Sequence, residues 1–149
     1  MRPIKPIVAA IGAVIAVLAP VAVRAQSADQ AVQCLAEAVY FESRGTGPQS
    51  RAAVAHVVLN RAGDDEFPDT PCDVVQDGCQ FSYQCDGKPE RLTEAEDRAK
   101  ALATARAVLE GAMPDPTNGA LFFHSERIDP GWFATRDRTA TLGGHIFYR

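Results

Sequence analysis

The chain has 149 residues, a formal net charge of −4 and a hydrophobic share of 46%. That length holds one domain and not comfortably two. The acidic balance excludes the usual nucleic-acid binders, which need a basic face against phosphate.

Arg2 and Lys5 open the chain, an uncharged apolar run follows over Ile7 to Leu18, and Val23-Arg24-Ala25 ends the stretch. This is the three-part pattern of a secretory signal peptide cleaved after Ala25. A retained anchor is the second reading, but the run reaches only the shortest spanning length and Pro20 interrupts it. Residues 1–25 are therefore expected to be the signal peptide and 26–149 the mature domain, periplasmic or secreted. No stable membrane insertion is expected after cleavage. Arg2, Lys5 and Arg24 leave with the signal and no acid does, which moves the formal charge from −4 to −7.

Cys34, Cys72, Cys79 and Cys85 are even in number and all lie in the mature part. In an exported chain they read as two disulfides, with three pairings open. Cys34–Cys72 with Cys79–Cys85 is preferred, because the short segment between the last two can close on itself. Their spacing fits no structural zinc pattern.

Ser27 and Gln30 form a capping box, and Val32, Leu35, Ala36, Val39 and Tyr40 then mark one face of a helix. It is expected to run from Ala28 into Glu42–Arg44 and to stop at Gly45. Thr46 is the expected cap of a second helix, with Pro48 in its first turn and an apolar stretch over Ala52 to Leu59. Asn60 and Arg61 are expected to cap and brace its end. Asp69 or Thr70 is placed to cap a short helix through Val74 and Val75. Gln80-Phe81-Ser82-Tyr83 alternates polar and aromatic residues, as a short strand does. Thr93 and Glu96 read as another capping box, opening a helix to Leu109 that Gly111 closes. Gly119 to His124 reads as a buried strand, and Thr139 to Tyr148 as a second extended segment. The fold class is α+β, one mainly helical domain with a few short strands.

Glu42 ends an apolar helix between aromatic residues and a glycine-forced change of direction. Desolvation there would raise its pKa and keep the carboxyl protonated, as a general acid requires. By itself the position also suits a solvated or ion-paired glutamate.

The run from Cys34 to Gly45, followed by Ala53-Val54-Ala55-His56-Val57-Val58-Leu59-Asn60-Arg61, resembles the SleB-type cell wall hydrolases, the family of the spore-cortex lytic enzymes. Phe67-Pro68, Cys79-Gln80-Phe81-Ser82, Gly119-Ala120 with His124, Trp132 and the ending Gly144 to Arg149 match in the same order. The resemblance implies a compact lysozyme-like fold acting on peptidoglycan glycan strands, between N-acetylmuramic acid and N-acetylglucosamine. It makes Glu42, in Tyr-x-Glu-x-Arg-Gly, the catalytic acid. Many relatives carry a second Glu directly after Arg-Gly, where this chain has Thr46.

Two-carboxylate hydrolysis needs a partner about 5–9.5 Å from the acid. Glu37 lies about 140° around the same helix and is expected to point elsewhere. Asp64, Asp65, Asp77 and Asp86 lie in loops that nothing places. With one carboxyl, the muramic acid's own C6 hydroxyl can attack instead and give a 1,6-anhydro product. Lytic transglycosylation is thus the leading reaction, muramidase hydrolysis the second, and a non-catalytic glycan-binding protein the third. Arg44, Gln80, Ser82, Tyr83, His124, Trp132 and His145 are the expected substrate-binding residues, with Arg44 orienting Glu42. No cofactor and no metal are expected, and a monomer is. His56, His124, His145 and Glu126 include no H-E-x-x-H pair, paired cysteines leave no thiolate, and no Gly-x-Ser-x-Gly elbow occurs.

Overall fold

A computed structural model describes residues 26–149; the expected signal segment, 1–25, and the side chain of Trp132 lie outside the described residues. Four helices, α1 (Ala28–Glu42), α2 (Pro48–Ala62), α3 (Pro71–Gln76) and α4 (Ala95–Leu109), precede three strands. These are β1 (Phe122–Ser125), β2 (Arg138–Leu142) and β3 (His145–Tyr148), in the antiparallel order β1-β3-β2. The α+β class is as expected. None of the described helices is long and apolar enough to cross a membrane.

The capping box forms: the Gln30 amide donates to Ser27 Oγ at 3.2 Å, and the Ser27 amide to Gln30 Oε1 at 3.1 Å. All five predicted apolar positions of α1 are buried, packed against α2, α3 and α4. Each fully buried valine or leucine stabilises such a core by about 1.5–3 kcal/mol. The helix stops because Gly45 takes φ +76°, a left-handed conformation that a side chain resists.

The expected role of Thr46 is reversed. Its hydroxyl donates to the Ser43 carbonyl at 2.6 Å, closing α1, while Gly47 caps α2 without a side-chain bond. The second correction concerns Thr93 and Glu96. Glu94 takes the cap position of α4, Tyr40 Oη accepts its amide at 3.2 Å, and Glu96 pairs with Lys100 instead.

The two disulfides join Cys34 to Cys72 and Cys79 to Cys85, as preferred. The second explains why Gln80 to Tyr83 is not a strand. Six extended residues would span roughly 20 Å, whereas the Cα atoms of Cys79 and Cys85 stand 5.6 Å apart. The segment instead coils into a 3-10 turn, Ser82–Cys85. The alternation survives, with Phe81 and Tyr83 buried and Gln80 and Ser82 exposed.

Thr139 to Tyr148 is not one extended segment but the β2–β3 hairpin. Gly143 (φ +56°) and Gly144 (φ +80°) turn it, the left-handed pair a tight hairpin favours. A Cβ on Gly143 would lie 1.9 Å from Ser50 Oγ and 2.7 Å from Ser50 Cβ, so the turn sits directly on α2. Gly143→Ala is expected to cost about 2–4 kcal/mol, combining left-handed strain with overpacking. Denaturant unfolding checks this, and an unchanged midpoint would contradict the packing.

Candidate functional site

Glu42 is the last residue of α1, placed by the helix that its apolar face anchors. Its side chain is half-buried, and burial alone raises its carboxyl above the ordinary value. Phe41 beside it stacks on Tyr83, with ring centroids 4.4 Å apart, and meets Tyr40 edge-on at 5.1 Å. Tyr83 is buried, and its hydroxyl is pushed up first by that burial. The Gln84 side chain acts the other way, and the charges of Glu37 and Glu42 raise it further.

Glu37 packs against the 3-10 turn, and no contact joins its carboxyl to that of Glu42. Its carboxylate accepts Gln84 Nε2 at 2.8 Å, and its charge, like that of Glu42, acts on Tyr83. Burial raises its pKa, Tyr83 and Gln84 oppose the rise, and Glu90 adds to it. The 3-10 turn brings Tyr83 and Gln84 down on α1 where a strand would not.

Arg44 is exposed and lays its guanidinium over the Tyr40 ring, 5.3 Å from the centroid. No ion pair joins it to Glu42, so its expected orienting role has no contact behind it. Ser82 is exposed at the start of the 3-10 turn.

His124 is buried in β1. Its Nδ1 lies 2.8 Å from the Ser125 carbonyl and must donate, which leaves Nε2, 2.9 Å from Tyr148 Oη, to accept in the neutral ring. With Phe133 at 4.8 Å and Tyr148 at 5.4 Å around it, the imidazole is packed and satisfied. His145 is half-buried beside Phe123, and burial lowers its pKa. The Gly143 backbone and Glu126 work against that shift, and His124 works with it. Trp132 begins a 3-10 turn, Trp132–Thr135.

Two groupings therefore emerge. Glu42 stands beside Phe41, on which Tyr83 stacks. Gln80 and His124 come together elsewhere, in the wall of a cavity of about 510 Å³ that also includes Arg61, Asp77, Phe122 and Phe133.

Arg61 does more than brace α2, the role its place near the helix end suggests. It is 4% exposed, its Nε donates to the Leu121 carbonyl at 2.6 Å, and its guanidinium lies 5.1–5.7 Å from the rings of Phe67, Phe81 and Phe122. Burial lowers its pKa to about 10 and Asp77 partly restores it, so it is a cation at neutral pH. Its spacing carried the signal, since Arg61 follows Val54, Val57 and Val58 on the buried stripe of α2. Asn60 likewise does more than cap: its Nδ2 donates to Asp115 at 3.1 Å and to the Ala120 carbonyl at 3.0 Å. Asp115 also accepts Thr117 and Gly119. Burial pushes its carboxyl up, but those hydrogen bonds outweigh it and lower the pKa.

A family model described as Cell Wall Hydrolase matches residues 45–148, beginning just after Glu42. The spore cortex-lytic enzyme of Halalkalibacterium halodurans is 34% identical over 126 residues, covering 84% of this chain and 36% of that protein. The Bacillus cereus enzyme of the same description is 37% identical over 117 residues, covering 78% of this chain and 43% of its own length. The chain thus spans about two fifths of the relatives it matches. Among solved structures, the catalytic domain of the germination-specific lytic transglycosylase SleB from Bacillus anthracis is 34% identical with a TM-score of 0.68. That likeness covers 85% of this chain and 98% of the domain. The SleB catalytic domain of Bacillus cereus is 29% identical with a TM-score of 0.66, covering 83% and 93%. With a family match over most of its length and the same fold as two of these catalytic domains, the chain belongs to the cell wall hydrolase family.

Proposed function

We propose that this chain cleaves peptidoglycan glycan strands between N-acetylmuramic acid and N-acetylglucosamine, with Glu42 as general acid and then general base. Residues 26–149 form the catalytic domain of an exported protein, periplasmic or secreted once the signal peptide is removed. The observation that carries the reading is the half-buried carboxyl of Glu42, raised by burial and, among the described residues, paired with no cation. A carboxylic acid so held keeps its proton for the glycosidic oxygen.

Glu42 gives its proton to the bridging oxygen as the bond to the muramic acid C1 breaks. The resulting carboxylate takes the proton of the C6 hydroxyl, and O6 closes on C1. The product is a 1,6-anhydro sugar, no water is consumed, and Glu42 ends protonated. This lytic transglycosylase route needs one carboxyl. A second reading, hydrolysis, draws on one observation: Glu37 is also raised by burial, and its charge acts on the same tyrosine as that of Glu42.

Purified sacculi incubated with the chain, disulfides formed, test the reading by release of soluble muropeptides. Absence of release would contradict it. The pH dependence follows from the direction of the shift. Because the Glu42 pKa is raised, the protonated form persists above the usual glutamate value of 4.5, and kcat/KM falls only at higher pH. An activity already lost at the ordinary carboxyl value would argue against Glu42 as the acid.

A further inference from the structure

The cavity built by Gln80 and His124 is not accounted for by proton transfer at Glu42. At about 510 Å³ it falls in the size range of small-ligand sites. The segment 77–80 forms one wall, β1 another, and Ile128, Pro130 and Phe133 a third. Ile128 is 56% exposed, a large apolar side chain left to solvent at this cavity. The two ends of the segment join the cavity to the proposed cleavage site. Gln80 lines the cavity, and Tyr83, three residues on, stacks on Phe41 beside Glu42. The cavity and the neighbourhood of Glu42 are thus linked by one short segment, held by the Cys79–Cys85 disulfide.

The charges of the cavity define what fits it. Arg61 is a buried cation that forms no ion pair, and its Nη1 meets no hydrogen-bond acceptor among the described residues. Asp77, an exposed carboxylate, lines the same cavity and acts on Arg61 without an ion pair. A neutral sugar ring would bring no counter-charge to Arg61, whose buried guanidinium has the Leu121 carbonyl and three aromatic rings around it. A simple anion would satisfy Arg61 but meet Asp77, and a simple cation the reverse. A group with both charges on one carbon, carried on a methylene stem, suits the pair and the apolar wall together.

We propose that this cavity binds the stem peptide of peptidoglycan through a zwitterionic amino-acid group, its carboxylate toward Arg61, its ammonium toward Asp77 and its methylene stem against Phe122, Phe133 and Ile128. The inference rests on the peptidoglycan reading above and names the part of that substrate the cavity takes. It makes the enzyme selective for peptide-bearing strands whose diamino acid keeps a free α-amino carboxylate.

The test is binding, read apart from cleavage. The ¹⁵N-labelled full chain is titrated with the tripeptide L-alanyl-γ-D-glutamyl-meso-diaminopimelate. A second titration uses the same peptide ending in L-lysine, which keeps the distal ammonium and lacks the distal carboxylate. Amide shifts are expected at Gly78 to Gln80 and Phe122 to His124, with the lysine peptide at least about tenfold weaker, the scale of one charge-assisted hydrogen bond. Asp77→Asn, an exposed change that leaves Arg61 and the core in place, should weaken the first peptide by about the same factor. Equal binding of the two peptides, or no shift at those amides, would overturn the proposal. If the chain cleaves sacculi yet ignores the tripeptide, this inference alone fails. If it binds the tripeptide as described yet releases nothing, the pocket stands and the proposed reaction fails.

Discussion

The Glu42→Gln variant is expected to lose glycan cleavage by at least about a hundredfold while remaining as well folded as the parent. The loss follows from removing the one proton the scheme uses, since general acid–base catalysis contributes about 10²–10⁴ in rate. The retained fold follows from the sign of the pKa shift. A carboxyl whose folded pKa lies above its unfolded value stabilises the protein below that unfolded value. The contribution is lost as pH rises through the folded pKa. Above that unfolded value the raised pKa is therefore a cost to stability, which the uncharged amide relieves. The variant should unfold at a denaturant concentration no lower than the parent. Sacculus digestion beside a denaturant titration reads both. An inactive but destabilised variant would mean that Glu42 is structural, and an active one would remove it from the chemistry.

Replacing Cys34 and Cys72 together by alanine is expected to give the largest stability loss, about 4 kcal/mol. The bond closes a loop with a sequence separation of 38 and ties α1 to α3. Opening Cys79–Cys85, with a separation of only 6, should cost about 2 kcal/mol on the same chain-entropy argument. Against a total stability of about 5–15 kcal/mol, the first loss takes a large fraction and the second a modest one. The order should reverse for activity, because the short loop holds the turn that presses Tyr83 on Phe41 beside Glu42. Urea midpoints and sacculus digestion on both double variants measure the two effects. A greater stability loss from the shorter loop would contradict the entropic account.

How much of this was legible depended on whether the deciding contact was local. The face of α1, its capping box and the stop at Gly45 are written within a few residues, and all were read correctly. Helix starts were read less well where a distant partner decided them. Thr93 has the right chemistry for a cap, but Tyr40 Oη from α1 takes the Glu94 amide and moves the start. The 80–83 segment shows the same limit. Its alternation correctly set Phe81 apart from Gln80 and Ser82, but Tyr83, expected to meet substrate, is buried. The disulfide across the segment forbids the extended path that alternation implies. That one change of path brings Gln84 onto Glu37.

The site itself was legible in part. Glu42 was singled out by its desolvated helix end, and burial does raise it. Arg44 and His124 were expected to serve substrate, yet Arg44 lies over Tyr40 and His124 has both ring nitrogens engaged. Arg61 is hard to single out in the sequence because a basic residue near a helix end usually caps it. Its place on a buried stripe became meaningful only once Phe67, Phe81 and Phe122 converged on it from three separate segments.

The central claim, a single-carboxyl reaction at Glu42, is tested most directly by mass spectrometry of the muropeptides released from purified peptidoglycan. The predicted result is 1,6-anhydromuramic acid ends from the parent chain and none from Glu42→Gln. Reducing muramic acid ends from the parent, carrying the added mass of one water, would contradict it and make Glu37 the next residue to replace.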